Sequence, residues 1–131
     1  MKRKTICLLL LIFFVILIFL TIWSGKSKKQ SDNNKYSVEY IRDVITPIAK
    51  RYQIKRVYLF GSYARGDYNK NSDVDLRIDK GNLKGLFVLC GFYTDVSEAL
   101  QLKVDVLTTG SLEEDFLERL RDEEVLLYND N

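Results

Sequence analysis

The most apolar stretch of the chain comes near its start. Residues 6–23 are eighteen positions without a charge, dominated by Leu, Ile and Phe, which meets the lower limit for a helix crossing a bilayer core of about 30 Å. Lys2, Arg3 and Lys4 precede it, Lys26, Lys28 and Lys29 follow, and Trp23 sits where an interfacial aromatic belongs. The pattern predicts a retained N-terminal transmembrane helix over residues 1–24. A cleaved signal peptide fits less well, because its apolar core runs to only about 15 residues and Thr21-Ile22-Trp23-Ser24-Gly25 is a poor small-x-small site. A start assigned too far upstream, leaving a cytoplasmic protein, is the third reading. Residues 25–35 are polar and lack any aliphatic side chain, as expected of a flexible linker.

From residue 36 the pattern becomes that of a folded domain, extending to residue 131. Val38, Ile41, Val44, Ile45, Ile48 and Tyr52 make a helical stripe, with Ser37 as its N-cap. Pro47, the sole proline, is expected to kink or divide this helix near Ile45. Residues 56–60 are β-branched and aromatic and end at Gly61, predicting a buried strand. Residues 75–79 alternate strictly, with Leu76 and Ile78 turned to the core. Residues 83–100 read as a long apolar helix, its apolar character assigned to core packing and Cys90 buried within it. Residues 103–108 predict a third strand. Ser111-x-x-Glu114 is a capping-box signature for a last helix through Phe116, Leu117 and Leu120. Residues 125–128 predict an edge strand. The order is that of an α/β layer fold with a short sheet and one small core.

Composition narrows the chemistry. The 131 residues, less the apolar segment, suffice for one domain, and the net charge of +2 argues against a nucleic-acid-coating protein. The last twenty residues are acidic. Histidine is absent, which removes imidazole bases, Ser-His and Cys-His pairs, and zinc sites that need imidazole. Carboxylates, hydroxyls, Lys and Arg remain. The two cysteines, Cys7 and Cys90, read as reduced hydrophobes and not as a pair.

Those residue types gather in one region. Gly61 and Ser62 directly follow a predicted strand, so a short helix starting there would direct unbonded backbone N–H groups outward toward phosphate oxygens. Arg65 has two readings, a phosphate contact or an ion pair with Asp67. Asp73 and Asp75, two apart at the opening of a strand, share a face. Their mutual repulsion is best relieved by Mg²⁺, which favours one or two carboxylates with phosphate oxygens and water. Asp105 lies opposite the buried positions Val104 and Val106, and reaches the other carboxylates if its strand neighbours theirs. Three carboxylates beside a phosphate-binding turn can hold two metal ions for an in-line displacement at phosphorus. Arg77 either faces this cleft or balances its carboxylates, and Tyr63 reads as a packing residue. Tyr58 and Tyr128 look structural, with modification left open.

Gly-Ser, ten residues, Asp-x-Asp and a later strand Asp resemble the nucleotidyltransferase superfamily of DNA polymerase β. The stretches Phe60-Gly61-Ser62-Tyr63-Ala64-Arg65-Gly66, Ser72-Asp73-Val74-Asp75-Leu76 and Val104-Asp105-Val106-Leu107 resemble its minimal nucleotidyltransferase (MNT) branch. The likeness spans about residues 38–128 and leaves out the apolar N-terminus, which is foreign to the usual member. It implies that Gly61 and Ser62 hold a nucleoside triphosphate, that Asp73 and Asp75 ligate Mg²⁺, and that Asp105 helps activate an acceptor hydroxyl. Members of the branch act as antitoxins that pair with a HEPN-type ribonuclease toxin and transfer AMP from ATP to its tyrosine.

The expected function is therefore metal-dependent transfer of a nucleoside monophosphate to a protein or small acceptor. The alternatives are a non-catalytic antitoxin on the same fold and, third, an aminoglycoside-type transferase, for which no additional helical acceptor domain is visible. No direct nucleic-acid binding is expected. Since ATP is cytosolic, the domain is expected on the cytoplasmic side of a membrane anchored through residues 6–23.

Overall fold

The computed structural model describes residues 37–131. The expected transmembrane helix and the linker up to residue 35 fall outside them. No helix among the described residues is long and apolar enough to cross a membrane.

Helix α1, Val38–Arg51, starts at Ser37, whose hydroxyl accepts from the Tyr40 amide at 3.1 Å, and buries Ile41, Ile45, Ile48 and Ala49. The expected division at Pro47 does not occur: the helix runs through it. Pro47 and Asp43, the residue whose carbonyl loses its donor, are both exposed, so water can take that carbonyl. Strand β1, Arg56–Phe60, follows, then the five-residue helix α2, Gly61–Arg65, closed by Gly66 in the left-handed region at φ 79°. Strand β2 spans Val74–Asp79, helix α3 Leu86–Leu100, and strand β3 Val104–Thr108. A 3₁₀ turn at Thr109–Ser111 leads to helix α4, Glu114–Arg121, and strand β4, Val125–Asn129.

The sheet order is β3-β2-β1-β4. β1 pairs antiparallel with both β2 and β4, whereas β2 and β3 are parallel and joined through α3. Because side chains alternate along each strand, the sheet has two distinct faces. Val57, Leu59, Val74, Leu76, Ile78 and Val104 are fully buried in the core with Ile41 and Ile45 of α1 and Phe92, Val96 and Leu100 of α3. Asp75, Arg77, Asp79, Tyr58 and Asp105 belong to the opposite face.

Two further expectations are corrected. Ser111 caps nothing in α4: it lies in the 3₁₀ turn and donates to the Thr108 carbonyl at 2.7 Å, while Glu113 occupies the cap position without a side-chain bond. Nor is α3 apolar because it is buried throughout. Leu86, Phe87, Val88 and Tyr93 are exposed, Phe87 at 94%, and Cys90 is exposed with them. Only Phe92, Val96 and Leu100 of this helix are fully buried.

Candidate active site

Strand pairing sets two of the predicted carboxylates side by side, next to the Gly61 turn. Asp75 is the register partner of Phe60 on one side and of Asp105 on the other. It thus sits between the residue preceding Gly61 and the third carboxylate, with strands about 4.8 Å apart. Gly61 has φ +70°, and a Cβ there would collide with the Asp75 carboxylate. Glycine is required at this position twice over, for the backbone angle and for the closeness of the carboxylate. The first N–H groups of α2 begin at this point, where a helix leaves its donors without intrahelical partners.

The loop from α2 to β2 is held in a compact turn. The Asn69 amide donates to Ser72 Oγ at 2.9 Å, the Asn71 amide to Asn69 Oδ1 at 2.9 Å, and the Ser72 amide to the Asn69 carbonyl at 3.0 Å. This delivers Asp73 to the start of β2. The register that pairs Val74 with Val104 sets residue 103 beside residue 73, and Lys103 Nζ lies 2.6 Å from Asp73 Oδ2. Sequence reading missed Lys103. Parallel pairing of the two Asp-bearing strands would have implied it.

The electrostatics follow from this crowding. Burial first, then the charges of Asp105 and Asp73, hold the Asp75 carboxyl above the ordinary carboxylate range, while Arg65 and Lys103 pull it down. Lys103 is itself held above the ordinary lysine value by its bond to Asp73, the field of that carboxylate and then that of Asp105. Three carboxylates and two cations therefore act on one another across the ends of β2, β3 and α2.

Arg65 pairs with Asp67 at 3.3 Å and Glu123 at 3.1 Å, all three well exposed. The predicted Asp67 pair is present, and such exposed pairs are weak enough to yield to a phosphate. Tyr63 is buried and stacked on Tyr68 with ring centroids 4.5 Å apart, in keeping with packing. Tyr128 is buried in the core.

Arg77 is buried away from the carboxylates it was expected to balance. It pairs with Glu124 through two bonds of 2.6 and 2.9 Å, reaches Asp79 at 3.2 Å and Thr109 at 2.5 Å, and stacks over the Tyr58 ring at 4.0 Å. Glu124 sits just beyond α4, remote in sequence, and no local pattern pointed to this pairing.

Among the described residues, no group of three acidic, cysteine or histidine side chains is drawn together closely enough to hold a metal ion as it stands. The donors are nevertheless of the right chemistry. They are hard oxygen ligands on adjacent strands, with Asp75 already penalised for carrying its charge.

The fold and the site describe a nucleotidyl-transfer domain, and comparison with known proteins agrees. Residues 43–131 match the family model described as polymerase beta, nucleotidyltransferase, and the chain belongs to that family. It is a nucleotidyltransferase. A Methanocaldococcus jannaschii protein assigned as a protein adenylyltransferase is 34% identical over 89 residues, covering 68% of this chain and 96% of its own. A toxin–antitoxin crystal structure with AMP-PNP is similar at a TM-score of 0.60 and 20% identity, over 69% of this chain and 74% of that one. A chain of the complex between the tri-AMPylated HEPN toxin of Shewanella oneidensis and an MNT antitoxin is similar at a TM-score of 0.56 and 16% identity, over 71% of this chain and 73% of that one. At these identities the two structures show likeness of fold alone.

Proposed function

We propose that this nucleotidyltransferase moves AMP from ATP to a hydroxyl of a protein partner, and that the partner is a HEPN-type toxin for which it serves as antitoxin. The observation that carries the transfer reading is the placement of Asp75 between the Gly61 turn and Asp105. Gly61, Ser62 and Arg65 would hold the triphosphate. Asp73, Asp75 and Asp105 would hold Mg²⁺, as two ions in the fullest case. When bound, Mg²⁺ supplies charge to offset the build-up on phosphate oxygens during displacement. Asp105, exposed at its strand, faces the side from which an acceptor hydroxyl arrives and helps to take its proton. The acceptor oxygen bonds to the α-phosphorus, and the bond from that phosphorus to pyrophosphate breaks.

The protein acceptor is favoured by the exposure of the site, where Asp105 and Lys103 are open to solvent and Asp73 and Asp75 partly so. The cavity of about 500 Å³ between α1 and α3 is lined by Val44, Pro47, Ile48, Arg51, Asp95, Glu98 and Ala99, and none of the three carboxylates borders it. A small acceptor ordinarily needs an enclosing pocket, whereas a protein brings its own surface. The adenylyltransferase assignment of the Methanocaldococcus relative and the AMPylated toxin in the Shewanella complex support the same choice. Residues 6–23 anchor the chain in a membrane with this domain on the cytoplasmic side, where ATP is found.

The test is incubation of the full chain, in mild detergent, with Mg²⁺, α-labelled ATP and lysate of its own cells, beside an Asp73→Ala/Asp75→Ala variant. Label on a discrete protein, lost with the variant, is the expected result. Label on a small molecule would replace the partner reading, and no label with normal folding would leave an antitoxin that acts by contact alone. A reporter fused after Asn131 that works only outside the cytoplasm would overturn the orientation.

A further inference from the structure

We propose that Lys103 is a positioning residue that stands in for a divalent cation, engaging Asp73 until a metal ion displaces it and releases that carboxylate to join Asp75 and Asp105. The proposal rests on the metal-dependent reading above and adds a residue that neither motif contains.

The geometry follows from the pairing of β2 with β3. The register that sets Asp105 beside Asp75 sets Lys103 beside Asp73, and the ammonium closes on that carboxylate at 2.6 Å. Asp105 also acts on Lys103, and Lys103 acts on Asp75. One cation therefore lies in the field of all three carboxylates, as a metal ion would. The three have not converged in this arrangement, and in it Asp73 is held by the lysine.

The pair suits exchange. Lys103 is 67% exposed and Asp73 30%, and exposed ion pairs are weak. Lysine is a point charge on a flexible stem, which can leave without breaking a two-pronged arrangement of the kind arginine makes. A dication carries twice the charge and binds hard oxygens directly. Without metal, the lysine lowers the repulsion among carboxylates. With metal, it yields.

The experiment titrates Mn²⁺, without nucleotide, into the full chain in mild detergent and reads binding by calorimetry. Removing the competing charge in Lys103→Met is expected to tighten Mn²⁺ binding about three- to tenfold, and Lys103→Arg, which keeps the charge and can grip Asp73 with two prongs, to bind no tighter than the unaltered chain. Equal or weaker binding by Lys103→Met would overturn the proposal while leaving the metal site standing. Absence of Mn²⁺ binding by the unaltered chain and both variants would overturn the metal reading, and the proposal with it. As Lys103 is exposed, folding of the variants is readily confirmed by circular dichroism, and a residue with a purely structural role would not move the Mn²⁺ affinity.

Discussion

Asp75 is the residue on which chemistry and stability conflict. Its carboxyl is raised above the ordinary carboxylate range by burial, then by Asp105 and Asp73. The metal-free folded state thus holds the proton more tightly than the unfolded chain. Stability from this group is fully present below its ordinary pKa and is lost as pH rises through the raised value. Asp75→Asn should therefore melt above the unaltered chain in chelator at pH 7, with the gap closing as pH falls toward 4, and should lose transfer activity. A variant that melts lower at pH 7 would show that the carboxylate is not the strained group. This residue was legible in the sequence because Asp-x-Asp at a strand opening combines a periodicity with a chemistry. Lys103 was not, because its meaning depends on which strand lies beside which. Arg65 stood between two readings, and the Asp67 pair is the one that the fold displays.

At the scale of elements, periodicity and local signals located α1, α3, α4 and the four strands, while α2 was anticipated only from a Gly-Ser pair following a strand; what α3 faces was misjudged. The pattern over residues 83–100 could not separate apolar residues that pack from those that do not, since helix α3 carries both. Its buried side is Phe92, Val96 and Leu100, whereas its first turn leaves Leu86, Phe87 and Val88 outside the core. Phe92→Ala is expected to cost about 3–5 kcal/mol, and Phe87→Ser to stay within about 0.5 kcal/mol of the unaltered chain. Chemical denaturation of both variants checks this, and comparable losses would mean that the first turn of α3 packs as the sequence first suggested. Pro47 and Ser111 misled for a related reason. Each signal was local, and what decided the outcome was the exposure of Asp43 in one case and a competing Thr108 carbonyl in the other.

For the whole molecule, the division of the sheet into a packed face and a charged face explains why the site is open and how the charged face is held together. The helices α1 and α3 cover one side. On the other, Arg77 joins β2 to Glu124 just before β4, to the 3₁₀ turn through Thr109 and to Tyr58 of β1. Burial disfavours its charge, and the hydrogen bonds and fields of Glu124 and Asp79 restore it. Thr109 also donates to Asp79 at 2.6 Å, so the carboxylates of the network are shared. Arg77 sits two residues from Asp75 on the same strand face, which means the network fixes the strand that presents the Asp75 carboxylate. Removing one partner of a buried pair strands the other, at a cost of about 3–5 kcal/mol, a large part of the roughly 5–15 kcal/mol that holds a domain folded. Arg77→Met should therefore destabilise strongly in chemical denaturation. Arg77→Met with Glu124→Leu should recover most of the loss, since no charge is then left unpaired at the α4–β4 junction. If the single variant loses less than about 1 kcal/mol, the pair is no more than a surface contact, and the charged face must be ordered by the β1–β2–β3 ladder alone.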